Sequence, residues 1–212
     1  MDSILIFGAT GGSGREAVIQ ALEKGFSVTA VVRNPAAFTL RHDALTIVKG
    51  DVLQLSSFEK EMVGKTAVIS CLGVGRDVKP TTVYSKGMEN ILAAMHQANV
   101  TRLICLSAGA LYTYKEMGFF IRLLATQVLQ RILKNPYADL RIMEKTVQAS
   151  AADWSIIRPP MLKDKPLTAQ YRVAVGTHLA RPFSINRADL AHYMLGIVND
   201  ARTFRSIIDI AY

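Results

Sequence analysis

The chain begins its organised part with Ser3-Ile4-Leu5-Ile6-Phe7, then Gly8-Ala9-Thr10-Gly11-Gly12-Ser13-Gly14, then Arg15-Glu16-Ala17-Val18-Ile19-Gln20-Ala21-Leu22. This stretch decides the fold. Five residues at 3–7, mostly apolar, read as a strand buried on both faces. Residues 12–24 read as a helix, with Ala17, Val18, Ala21 and Leu22 on its inner face. The segment between them is G-x-x-G-x-x-G, a tight strand-to-helix turn. Glycines at 8, 11, 12 and 14 let a ligand come close to the backbone, and the following helix aims free N–H groups and its positive dipole end at that ligand. Thr10 and Ser13 add hydroxyl donors. An anion held against backbone is what the turn suits, and a dinucleotide pyrophosphate is the expected one.

Outward from this turn, short apolar runs alternate with helical stretches, as in a parallel sheet wrapped by helices. Strands are predicted at 27–32, 46–49, 67–71, 103–107, 154–158, 172–175 and 206–210. Helices are predicted at 82–98, 118–134, 139–150 and 187–199, with Asn135-Pro136 ending the third helix of the chain. The expectation is α/β: a Rossmann-type, doubly wound, mostly parallel sheet with helices on both faces. At 212 residues, with no repeat or linker, one domain spanning 1–212 is expected, its last sixty residues forming a small substrate-side portion.

The end of the second strand points to the nucleotide. A site for NAD places Asp or Glu there to hold the ribose 2′-hydroxyl. Here the chain has Val31-Val32-Arg33-Asn34-Pro35, and a guanidinium suits a 2′-phosphate. NADP(H) is the cofactor expected, with Arg15 as a further candidate cation. Ligands of such folds lie beyond the carboxyl ends of the strands. The rest of the wall is therefore read from Asp51 and Val52, from Cys71, Leu72 and Gly73, from Ser107 and Ala108, and from Pro159, Pro160 and Met161.

Composition narrows the alternatives. The net charge of +8 comes from scattered Lys and Arg, densest over 158–187. A field attracting an anionic cofactor accounts for it, and no nucleic-acid partner is expected. No apolar run reaches the ~20 residues of a membrane span, and Asp2 and Ser3 lead into a strand with no basic leader, so a cytoplasmic setting is expected. His42, His96, His178 and His192 stand too far apart for a metal site. Cys71 and Cys105 read as small buried hydrophobes.

GATGGSG (8–14), VVRNP (31–35), GDV (50–52), SAG (107–109) and RPPMLKDKPLT (158–168) resemble the atypical short-chain dehydrogenases/reductases, in their NmrA-like, NAD(P)H-binding branch. Within it the chain is similar to flavin reductase/biliverdin-IXβ reductase-like proteins over nearly its whole length. The resemblance implies NADPH with its nicotinamide near Ser107 and residues 159–161, and hydride transfer to a small planar conjugated acceptor: a flavin, quinone, azo dye or tetrapyrrole. The wider superfamily carries Y-x-x-x-K. Here Lys145 is preceded four residues earlier by Arg141, so that proton donor is missing. Ser107 is the candidate for orienting nicotinamide or substrate, and Lys145 for contacting a ribose or substrate anion, with a structural role open for each. Tyr112, Tyr114 and Tyr137 are candidate replacement acids. A regulator that senses NADP(H) without catalysis is the alternative function.

Residues 118–134 carry Phe119, Phe120, Ile121, Leu123, Leu124, Val128, Leu129, Ile132 and Leu133, a wider apolar arc than packing on one sheet face needs. A buried core helix is the first reading. A homodimer or protein-partner surface, or a lid over a planar substrate, is the second, and membrane-surface attachment the third.

Overall fold

A computed structural model describes residues 2–75, 77–113 and 115–212, without the side chains of Phe120, Ile121, Leu124 and Ala125. The glycine turn joins β1 (Ser3–Phe7) to α1 (Gly12–Glu23). Then follow β2 (Ser27–Val32), β3 (Leu45–Lys49), β4 (Ala67–Ser70), α2 (Ser85–Gln97) and β5 (Arg102–Leu106). After β5 come α3 (Phe119–Leu124), a π-helical turn (Ala125–Leu129), α4 (Gln130–Ile132), α5 (Lys134–Ala149), β6 (Asp153–Arg158), β7 (Met161–Lys163), β8 (Arg172–Val175), β9 (Ser184–Asn186), α6 (Arg187–Gly196) and β10 (Ser206–Ala211).

The main sheet has the order β3-β2-β1-β4-β5-β6-β10-β8. Every pair is parallel except β10 with β8. The chain reverses direction in strand order between β1 and β4, and that switch point opens a crevice at the carboxyl ends. One core lies under α1 and α6 and includes Ile4, Ile6, Ala17, Val18, Ile69 and Leu190. The other lies under α2 and α5 and includes Leu5, Phe7, Val68, Met88, Leu103 and Met143. Consecutive residues of β1 and β4 alternate between the two, as the pleat requires. The expected α/β Rossmann architecture is present.

At the far end of β5, Arg102 is buried and donates to the carbonyls of Ile197 and Val198, just past the carboxyl end of α6, and to Asp153 O, Ser155 Oγ and Thr203 Oγ1. Burial lowers its pKa to about 10, which leaves it charged at neutral pH. A cation at a helix carboxyl end meets the negative end of the dipole.

Three expectations are corrected. Asn135-Pro136 does not end a helix: Pro136 lies in the first turn of α5, where its missing N–H costs no bond. The segment before it is not one regular helix but α3, a π-helical turn and α4. Nor is it a buried core helix, because Phe119 (65%), Leu123 (45%), Val128 (41%) and Ile132 (57%) are exposed. Phe120 and Leu124, also part of the apolar arc, lie outside the described side chains. The two-stranded parallel sheet of β7 and β9 was not anticipated. Among the described residues no helix is long and apolar enough to cross a membrane.

Candidate cofactor site

The crevice at the switch point has a volume of about 820 Å³, within the range of small-molecule sites. Its floor is the glycine turn, where Gly8, Thr10, Gly11, Gly12 and Ser13 line it. Gly8 has a positive φ of +74°, and a Cβ there would lie 2.2 Å from the Cys71 carbonyl oxygen. A Cβ on Gly14 would lie 2.2 Å from the Gly8 carbonyl oxygen. Gly14 is thus buried beneath the turn and closes it without lining the crevice. The first turn of α1 carries no acidic residue, and Gly11 offers no side-chain cap. The N-terminal N–H groups are left for an anion.

The middle of the crevice is built from the ends of β2, β3 and β4. Arg33 is exposed at the rim, and none of the ion pairs among the described residues involves it. Asp51 turns its carboxylate onto its own loop, accepting from Leu53 N at 2.9 Å, and Val52 is held where its carbonyl accepts from Asn90 Nδ2 at 2.7 Å. Leu72 and Gly73 line the wall, and nothing lies within 4 Å of the place a Gly73 Cβ would take. Cys71 also lines it, buried, with burial pushing its thiol up to about 12. Cys105 packs in the opposite core, and its thiol is pushed up by burial and then by the Glu144 charge. Neither thiol is ionised at neutral pH.

Tyr84, which sequence reading passed over, lines the crevice too. Its hydroxyl accepts from Val74 N at 3.2 Å, and its own N–H donates to Asp139 at 2.9 Å. Asp139, buried on α5, also accepts from Ser85 N and from Ser85 Oγ, so it caps α2 from another helix. Such a partner, 55 positions away, leaves no local sequence signal.

At the far end, Leu106, Ser107, Pro159 and Leu162 line the crevice. Ser107 Oγ is buried and has no hydrogen-bond partner among the described residues. A buried hydroxyl left unpaired is costly and marks a place where a ligand would complete it. The backbone is closely tied here: Ser107 N donates to Ile157 O, and Gly109 N donates to Pro159 O, each at 2.8 Å. Ala108 packs against the α2/α5 core, Pro160 is half-buried and Met161 is 50% exposed; none of the three lines the crevice.

The α5 residues take other places. Lys145 is exposed and does not line the crevice. Its neighbour Glu144 is fully buried, paired with Arg158 by Nε–Oε1 at 2.9 Å and Nη2–Oε2 at 2.6 Å. Arg141 donates to Leu111 O at 3.0 Å, clamping the turn that carries Tyr112. The Tyr112 ring lies 4.5 Å from the Arg158 guanidinium carbon, and burial followed by the Glu144 charge raises its pKa. Tyr137 is buried and raised by burial, then by Tyr84. Neither phenol lines the crevice, and Tyr114 lies outside the described residues. Among the described residues no group of side chains could hold a metal ion.

A glycine cradle, a dipole end and an open crevice at a topological switch point define a dinucleotide-binding site of Rossmann type. The chain belongs to the NAD(P)H-binding family whose model matches residues 8–201. It is 28% identical over 180 residues to an uncharacterized chloroplastic protein of Arabidopsis thaliana, covering 78% of this chain and 61% of that one. It is 33% identical over 110 residues to the photosystem II assembly factor Ycf39 of Cyanophora paradoxa, covering 50% of this chain and 34% of that one. The chain thus spans less than two thirds of these curated relatives. Among solved structures, a short-chain dehydrogenase/reductase of Veillonella parvula in complex with NADP superposes with a TM-score of 0.81 at 16% identity, over 100% of this chain and 94% of that one. The oxidoreductase ylbE of Lactococcus lactis gives 0.80 at 20% identity, over 99% and 90%.

Proposed function

We propose that the protein is a cytoplasmic NADPH-dependent reductase that delivers hydride to a small planar conjugated acceptor such as a flavin, quinone, azo dye or tetrapyrrole. The observation that carries the reading is Arg33, a cation outside the ion pairs among the described residues, placed on the crevice rim where an NAD site would hold a carboxylate. It suits the 2′-phosphate, as the glycine cradle suits the pyrophosphate. NADPH supplies the hydride when bound. The chain's own work is to hold donor and acceptor together and to limit water. Ser107 is the proposed orienting hydroxyl, its Oγ, without a partner among the described residues, left to meet the nicotinamide amide or the acceptor. Apolar Leu106, Pro159 and Leu162 leave an open wall for a flat ring. Protonation of such an acceptor needs no fixed acid, which fits an α5 whose Arg141 and Lys145 lie elsewhere.

The alternative is an NADP(H)-responsive regulator, favoured by the similarity to an assembly factor over half of the chain. The exposed apolar residues of α3 and α4 would then meet a partner or a second copy. Steady-state NADPH oxidation with flavins, quinones and azo dyes tests the choice. Saturable, acceptor-dependent turnover is expected; tight NADPH binding without turnover on any acceptor would replace the reductase with the regulator.

A further inference from the structure

The cofactor site has a second cation that the glycine motif does not contain. Arg187 is the first residue of α6, more than 170 positions from the turn, yet it lines the crevice beside Gly12 and Ser13. A Cβ on Gly12 would lie 2.6 Å from Arg187 Cδ and 2.8 Å from Arg187 Nε. The side chain therefore lies directly on the turn, in space that only glycine leaves. Arg15, the nearer cation in sequence, lines a neighbouring groove instead.

Arg187 is held there by Asp164, Nη1 to Oδ1 at 2.6 Å. Parallel pairing of Lys163 with Asn186 in β7 and β9 sets the next residues, Asp164 and Arg187, side by side. The two ends of this pair differ in environment. The Asp164 side chain is 83% exposed, and that of Arg187 only 26%. An ion pair with one partner so open to water is weak and easily exchanged. A dinucleotide pyrophosphate would offer Arg187 more negative charge, on a surface already positive from the α1 dipole.

We propose that Arg187 is a pyrophosphate-binding residue, and that the dinucleotide takes it from Asp164. Asp164 is thus a built-in competitor for the cofactor. The inference rests on the cofactor site proposed above but not on catalysis by it. It also separates two jobs: Arg33 reads the 2′-phosphate and distinguishes NADPH from NADH, whereas Arg187 meets a group that both share.

The test is the Kd of NADPH and of NADH, read by nucleotide fluorescence on the whole protein, for wild type, Arg187→Met, Asp164→Asn and the double variant. Arg187→Met should weaken both nucleotides about 10-fold with their ratio unchanged, the loss of one charge-assisted contact. Asp164→Asn should tighten both by roughly 2- to 5-fold, as expected on removing a weak competing pair, and in the double variant that gain should vanish. Each single variant loses the same ion pair, so thermal melts matched between the two exclude unfolding as the cause. Should Arg187→Met bind within 2-fold of wild type, or lose NADPH alone, the assignment is overturned. Weaker binding by Asp164→Asn would overturn the competition. Wild type that binds both nucleotides but reduces no acceptor defeats the reductase and leaves Arg187 standing; wild type that binds neither defeats both.

Discussion

The glycine turn and the segment after β5 are both built around charge and backbone, but they are organised in opposite ways. In the turn, the cradle itself is local: Gly8, Gly11, Gly12 and Gly14 lie within seven residues, and their spacing alone implies it, although Cys71 and Arg187 approach Gly8 and Gly12 from far along the chain. After β5, the critical contacts are distant. Glu144 holds Arg158, Asp139 caps α2, Arg187 lies on Gly12, and Asp189 gathers the backbone of Thr168 and Ala169. A local device can be read from a sequence pattern, whereas a distant one exists only once the sheet has assembled.

If this contrast is right, the largest stability loss should come from the distant side. Glu144→Ala leaves the Arg158 guanidinium buried without its carboxylate, and removing one partner of a buried pair costs about 3–5 kcal/mol. The shift should be read from urea midpoints at constant m-value. A loss under 1 kcal/mol would show that this side is not held by its buried pair.

Arg33→Asp tests the local side, and its expected effect is on binding. It should cost NADPH roughly 10- to 100-fold in affinity, about 1.4–2.8 kcal/mol, while NADH changes little. Equal loss for both nucleotides would remove Arg33 from the 2′-phosphate and blur the division of labour with Arg187.

The smallest effect is expected from Asp189. Burial pushes its carboxyl up, but the Tyr212 hydroxyl at 2.5 Å and the donors of Thr168 and Ala169 outweigh burial and hold it below the usual carboxylate range. A depressed folded value means the stabilisation is complete above the ordinary pKa of about 3.9 and is lost as pH falls through the lower folded value. The stability gap between wild type and Asp189→Asn should therefore be widest near pH 7 and shrink below pH ~4. A gap that widened in acid would reverse the assignment.

The limits of sequence reading follow the same line. The strands of the sheet were legible because buried parallel strands are short apolar runs, and their boundaries moved by only a residue or two. β7 and β9 were not, since three residues each of Met-Leu-Lys and Ser-Ile-Asn carry no period. Residues 118–134 misled where burial was put first: the wide apolar arc suited a core helix and an exposed surface alike, and nothing local decides that Phe119 and Ile132 stay exposed. Pro136 misled as a stop, although a proline is equally at home in the first turn of a new helix. Of the candidate site residues, those at strand ends near the turn line the crevice. Ala108, Pro160, Met161 and Lys145 do not, because where a side chain faces after a loop or on a helix depends on what that element packs against.

By itself the sequence determined the fold class, the cradle from Gly8 to Gly14 and the cation at Arg33, each encoded by residues close together in the chain. Only the tertiary structure decided that Lys145 is exposed while Glu144 is buried, that Tyr84 joins the wall, and that Arg187 lies against Gly12. Those outcomes depend on which elements meet across the sheet, and a contact between residues far apart in sequence leaves no mark in either segment alone.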